Sequence, residues 1–160
     1  MNNFLGSIYS WFVSLYGDAL NYYLWGFDPL IGDYTNPNIY NHIGLATLAI
    51  SLVIILVFYY VINHPKFNKW WSWLLMLIIN SIINFGVGYF VVYAKYTNGI
   101  IPPSLMYQFD EEGNILAFLI TNLNCIGLGL ANCFVAAIFF LVFTFMFKWW
   151  SSNAKHAPII

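Results

Sequence analysis

Residues 7–21 read SIYSWFVSLYGDALN, and how this stretch meets a membrane decides the number of spans. Ser7, Ser10, Ser14, Asp18 and Asn21 recur at helical spacing, so on one helix they share a polar face while Ile8, Phe12, Leu15 and Ala19 take the other. The surrounding segment, about residues 4–25, therefore reads as an amphipathic helix that is either interfacial or a fourth span.

Tyr9, Trp11, Tyr16, Tyr22, Tyr23 and Trp25 suit the headgroup layer. A sliding hydropathy window selects residues 43–62 and hesitates over 3–25. A surface helix, however, ordinarily carries Lys or Arg on its polar face, and this one has neither. An uncharged polar stripe also suits a pore-lining or bundle-buried helix. The leading expectation is an interfacial helix on the extracytoplasmic side with three spans. The alternative has four spans and both termini inside.

The rest of the chain is that of an integral membrane protein. Of its 160 residues, 61% are hydrophobic and 21% aromatic, while 7% are charged, far from the roughly 25% charge of soluble domains. Three apolar runs, about 42–62, 70–93 and 124–147, each match a hydrocarbon core of about 30 Å, which predicts an all-α bundle in a single membrane domain covering 1–160. The last run is nearly uninterrupted from Leu116, too long for one upright span, so either the helix is strongly tilted or NILAFLITNLN (114–124) is an interfacial or extramembrane helical lead-in, and the lead-in is the favoured expectation.

The charges are segregated. There is no Arg, Lys66 and Lys69 follow the first run, Lys148 and Lys155 follow the third, and Lys95 stands alone on the other side. The positive-inside rule then places loop 63–69 and the tail 148–160 in the cytoplasm. Segments 1–39 and 94–123, which hold all six acids, lie outside. Lys69, Trp70 and Trp71 and the repeat Lys148, Trp149 and Trp150 would anchor at one leaflet. The loops GFDPLIGDYTNPNIYNH and KYTNGIIPPSLMYQFDEEGN are dense in turn formers. Abundant Phe, Ile, Asn and Tyr with no Arg point to an AT-rich coding genome. That fits a bacterial inner membrane first and an organellar inner membrane second.

Within the runs, Asn80 and Asn84 share a ridge with Gly88, and Asn132 lies inside the third run. Such residues avoid lipid, serving either as interhelical hydrogen-bonding groups or as a lining for ions or solutes. Cys125, Gly129, Cys133 and Ala137 recur every four residues, flanked by Gly127 and Ala131, a small-residue surface that allows close backbone approach. The two cysteines would sit roughly 12 Å apart along a helix, beyond disulfide reach, and read as packing residues. Because three spans leave little interior, these polar positions imply shielding by partners.

No catalytic or metal site emerges. His42, His64 and His156 stand singly, and no nucleophile elbow or phosphate loop occurs. Asp28 and Asp33 near His42, and Asp110, Glu111 and Glu112 before Gly113, read first as turn residues. An external cation site and an acidic docking patch are their sharper alternatives. Few basic residues exclude nucleic acid, and no cofactor is implied. The expectation is a non-catalytic membrane subunit that assembles with copies of itself or with other subunits. The rival is a homo-oligomeric channel lined by the 7–21 stripe or the Asn80/Asn84 ridge, with an intramembrane enzyme a distant third.

Overall fold

A computed structural model of the chain describes residues 4–62 and 69–150, the side chain of Trp150 excepted. His64, Lys66, Lys155 and His156, with most of loop 63–69 and of the tail, lie outside the described residues. The fold is all-α with two small hairpins. Among the described residues three helices are long and apolar enough to cross a membrane. The first, α4, is Ile39–Leu56 and continues through a π-helical stretch, Val57–Ile62. The second, α5, is Trp70–Thr97, and the third, α7, is Asn122–Phe147. Helix α5 runs past Lys95 to Thr97, and a cation in the last turn suits the negative end of the helix dipole.

The segment that opens the chain is helical, but in three pieces: α1 (Phe4–Ser10), α2 (Val13–Tyr16) and α3 (Asp18–Trp25). None reaches the roughly 20 residues that a span requires. Nor does it rest on the bundle surface. Tyr9, Tyr16, Leu20 and Leu24 are fully buried, in one apolar core with Ile43, Val92, Leu128 and Val135 from all three long helices. The breaks have local causes. Gly17 sits at φ +84°, a region open mainly to glycine, and separates α2 from α3. The helical alternation expected of one continuous rod is lost there, and Leu15 is exposed although it belongs to the apolar set.

An irregular backbone inside a bundle must be satisfied by protein. Here the Tyr16 hydroxyl donates to the Tyr9 carbonyl at 3.0 Å, and the Asn124 side-chain amide donates to the Tyr16 carbonyl at 2.8 Å. The Phe12 amide donates to Tyr9 and the Gly17 amide to Val13. Phe12 stacks on Phe134 of α7, with ring centroids 5.6 Å apart.

Of the helical lead-in expected over 114–124, only the part from Asn122 is helical. Ile115–Phe118 is a strand (β4) that pairs antiparallel with Tyr107–Phe109 (β3). The reason is the turn between them. The Asp110 carboxylate accepts from the amides of Glu112 and Asn114 and from the Asn114 side chain, while Gly113 takes φ +85°. Those bonds, led by the Asn114 amide, hold the exposed Asp110 carboxyl below the usual carboxylate range. Thr121 then starts α7 with a capping box to Asn124. A short helix, α6 (Pro103–Met106), and a first hairpin, Phe27–Asp28 (β1) with Asp33–Tyr34 (β2), complete the end of the bundle where α7 begins.

The two glycines of α7 are spent inside the chain. A methyl placed on Gly127 would collide with the Leu15 carbonyl oxygen, and one on Gly129 would lie 2.9 Å from the Phe85 ring and 3.2 Å from the Phe85 carbonyl. Cys125 and Ala131 are buried, whereas Cys133 and Ala137 are half-buried. Both cysteines are free thiols. Gly127 therefore admits the opening segment, and Gly129 admits α5.

Gly127→Ala should consequently destabilise the fold by about 1–3 kcal/mol, the usual cost of overpacking. Gly86→Ala, whose methyl would meet only the Phe90 ring at 3.8 Å, should be neutral or slightly stabilising. Unfolding in mixed detergent micelles compares the two. Equal stability would place the Leu15 backbone elsewhere.

Candidate functional site

Two regions concentrate polar chemistry, one inside the bundle and one at its Asn122 end. The first centres on Asn132, about 15 Å along α7 from Asn122 at 1.5 Å per residue, half-way through a typical hydrocarbon core. Its side-chain oxygen accepts from the Tyr9 hydroxyl, in a short contact, and from the Thr47 hydroxyl at 2.9 Å. Its side-chain nitrogen donates to the Asn84 carbonyl at 2.6 Å. One amide thus joins α1, α4, α5 and α7. The Asn84 side chain in turn donates to the Asn80 carbonyl and side-chain oxygens, and Asn80 donates to the Ala136 carbonyl at 3.0 Å. Gly88 allows this approach, since a methyl there would stand 2.8 Å from the Asn132 Cβ.

Asn80, Asn84, Asn132, Thr47 and Ser51 are all 0% exposed in a single copy of the chain. A single copy of the chain already encloses them: α7 packs on Asn80 and Asn84, and the opening segment adds Tyr9 beside Asn132. Nearer the Phe147 end, Trp73 donates to Thr144 at 3.1 Å in the same manner. The Asn84 side-chain oxygen and the Ser51 hydroxyl are buried without a hydrogen-bond partner.

The polar stripe of residues 7–21 does not form a continuous line. Ser7, Ser14 and Asp18 are exposed and Ser10 is half-buried, donating to the Gly6 carbonyl. Asp18 begins α3 at a helix N-terminus, where a carboxylate is favourable. Asn21 instead turns inward and accepts from Tyr40 at 2.7 Å. Tyr40 lies 2.8 Å from the Tyr16 hydroxyl, stacks on Tyr9 and receives the edge of Trp25. The Tyr16 and Tyr40 hydroxyls have two protons for three contacts, so they act as one shared network.

The second region is a groove of about 1120 Å³ between α1, α3, the first hairpin and the start of α4. Asn21, Trp25, Tyr34, Asn38 and Asn41 form its polar and aromatic wall, and Leu5 and Leu45 its apolar floor. Chain loop 35–38 is held over it by the Asn36 amide, which donates to the Gly26 carbonyl at 3.0 Å. His42 lines the same groove. Asp28 and Asp33 do not converge with it on an ion. Their carboxylates accept from the Leu30 and Tyr34 amides in the hairpin turn, and among the described residues no group of His, Cys, Asp or Glu is placed to hold a metal.

At the opposite end, Trp70, Trp71 and Trp149 are exposed, and Lys69 is exposed beside them. Lys148 is buried, its ammonium 4.9 Å from the centre of the Trp149 ring. It serves as a packed cation more than as a free anchor.

Comparison with known proteins returns no matching family model, no matching curated protein and no matching solved structure.

Sequence reasoning found the three asparagines and missed Tyr9, Tyr16, Tyr40 and Thr47. Tyr9 and Tyr16 read from the sequence as headgroup residues, and Tyr40 carries no reading there. The available signal was Gly44, Thr47 and Ser51, a small polar face at helical spacing in an otherwise apolar run, which requires polar company from another segment.

The Asn132 network sets a testable coupling. Tyr9→Phe and Thr47→Val should each cost about 1 kcal/mol, whereas Asn132→Ala should cost about 2–3 kcal/mol by leaving two hydroxyls unpaired. In a cycle, Tyr9→Phe should cost much less in the Asn132→Ala background. Additive losses would mean that Tyr9 acts by packing alone.

Proposed function

We propose that the chain is a small non-catalytic membrane subunit that assembles with copies of itself or with other subunits to anchor or organise a membrane complex. The observation that carries this reading is the second hairpin. Phe109, Ile115, Leu116 and Phe118 are exposed on a two-stranded ribbon that precedes α7 and lies outside the long helices. A cluster of large apolar side chains on an open strand edge is the usual mark of an interaction surface. Asp110, Glu111 and Glu112 at the ribbon's tip add a charge that a basic partner segment would meet.

The channel reading loses support from the same geometry. The Asn80/Asn84 ridge is packed on α7, and the 7–21 stripe is divided among three helices. Most of the polar groups at membrane depth bond to one another or to backbone carbonyls, which suits a rigid bundle more than an aqueous path.

Orientation is part of the proposal. Lys69 and Lys148 stand at one end and Lys95 at the other, which supports a cytoplasmic C-terminus by the positive-inside rule, with the hairpins and groove outside. A bacterial inner membrane is the first candidate and an organellar inner membrane the second.

The particle extracted in mild detergent should be larger than one chain, and Phe118→Glu should dissociate it without preventing insertion. A monomeric particle, or ion flux in liposomes by the chain alone, would overturn the assembly reading. In a background with Cys125→Ala and Cys133→Ala, an impermeant thiol reagent applied to intact cells should label Asn114→Cys and spare Lys69→Cys. The reverse pattern would invert the orientation.

A further inference from the structure

We infer that the groove at the Asn122 end binds the neutral, hydroxylated ring of a membrane glycolipid, with the lipid's acyl chain leaving along the seam between α1 and α4. This goes beyond the assembly reading and does not depend on it.

The chemistry of the wall selects the ligand. None of its lining residues is Asp, Glu, Lys or Arg, and His42 is the one ionisable imidazole there, so an ammonium finds no counter-charge and a phosphate finds no permanent one. What the wall offers is a set of side-chain amides, Asn21, Asn36, Asn38 and Asn41, beside the aromatic rings of Trp25 and Tyr34. Amides both donate and accept, and aromatic faces cover the apolar C–H surface of a sugar ring. The side-chain oxygen of Asn38 is buried without a hydrogen-bond partner. It is an acceptor, so the group that satisfies it must bring a donor, as a sugar hydroxyl does.

The position of the floor supplies the second half of the argument. Leu45 is 58% exposed and lies about 9 Å along α4 from Ile39, already at hydrocarbon depth if the helix spans. Leu5 packs on Gly44 beside it. The groove therefore runs from loop 35–38 at the polar end down to an apolar seam. A free sugar would fill only its upper part, whereas a glycolipid matches both.

The test uses the full chain in nanodiscs containing equal parts of monogalactosyl diacylglycerol, phosphatidylglycerol and phosphatidylethanolamine, with no glycosidic detergent. Native mass spectrometry then counts the lipids that stay bound on release. The galactolipid should be retained at one per chain, at least about 10-fold over either phospholipid, a difference of about 1.4 kcal/mol. Asn41→Leu and Leu45→Trp each alter a lining side chain that the fold does not bury completely, and either should lower that retention about 10-fold. Their unfolding in detergent should stay at the wild-type value. Equal retention of all three lipids by wild type would overturn the proposal, as would preference for a phospholipid. Free galactose competing as well as the galactolipid would overturn the part assigned to the acyl chain. Should one variant fail to fold, the wild-type preference and the other variant still decide.

Discussion

The side-chain amide of Asn132 is the constraint on which the rest of the fold depends. A carboxamide placed half-way along an apolar helix has two acceptor sites and two donors to satisfy, and lipid satisfies none of them. Three of those positions are filled by Tyr9, Thr47 and the Asn84 carbonyl, each from a different element. Apolar side chains gain little by leaving lipid for one another, so the bundle's register cannot rest on greasiness. Directional bonds from one central group fix the angle and height of α4, α5 and the opening segment together. Close approach at Gly88, Gly127 and Gly129 makes those bonds reachable.

The opening segment follows from this requirement. Its hydroxyl at Tyr9 is needed deep in the bundle, yet its Ser7, Ser14 and Asp18 stay exposed. Folding it as three short helices with a glycine break resolves the conflict, provided each interrupted carbonyl finds a donor. Tyr16 and Asn124 supply two of them. The groove is a consequence, because a segment tucked between α4 and α7 leaves a concave flank where loop 35–38 crosses its third helix.

The three long helices were legible because length and composition are local properties, and so were the intramembrane asparagines. The opening segment was legible as helix but not as to its place. Periodicity reports which residues share a face only while the helix is continuous, and Gly17 carries no sequence mark that distinguishes a break from a packing glycine. The strand at Ile115–Phe118 was hidden for a related reason. ILAF is equally apolar as helix or strand, and the deciding bonds come from Asp110 across the turn. The burial of the polar groups within one copy was not legible, because the sequence does not reveal that its own first residues fold against the long helices.

That burial changes what the polar residues mean. Had Asn80, Asn84 and Asn132 remained open on the surface, they would have argued equally for a lumen or for a neighbour. Fully buried within one chain, they argue for neither, and the case for partners moves to the apolar hairpin outside the long helices. Two atoms of this region, the Asn84 side-chain oxygen and the Ser51 hydroxyl, are buried without partners. An unpaired buried polar group costs about 1–3 kcal/mol, so the bonds that surround these two must offset it. A bundle that holds such groups at its centre is kept together by the directional contacts around them. Its rigidity therefore depends on the Tyr9 end of the chain remaining in place, which ties the first helix to the integrity of the other three.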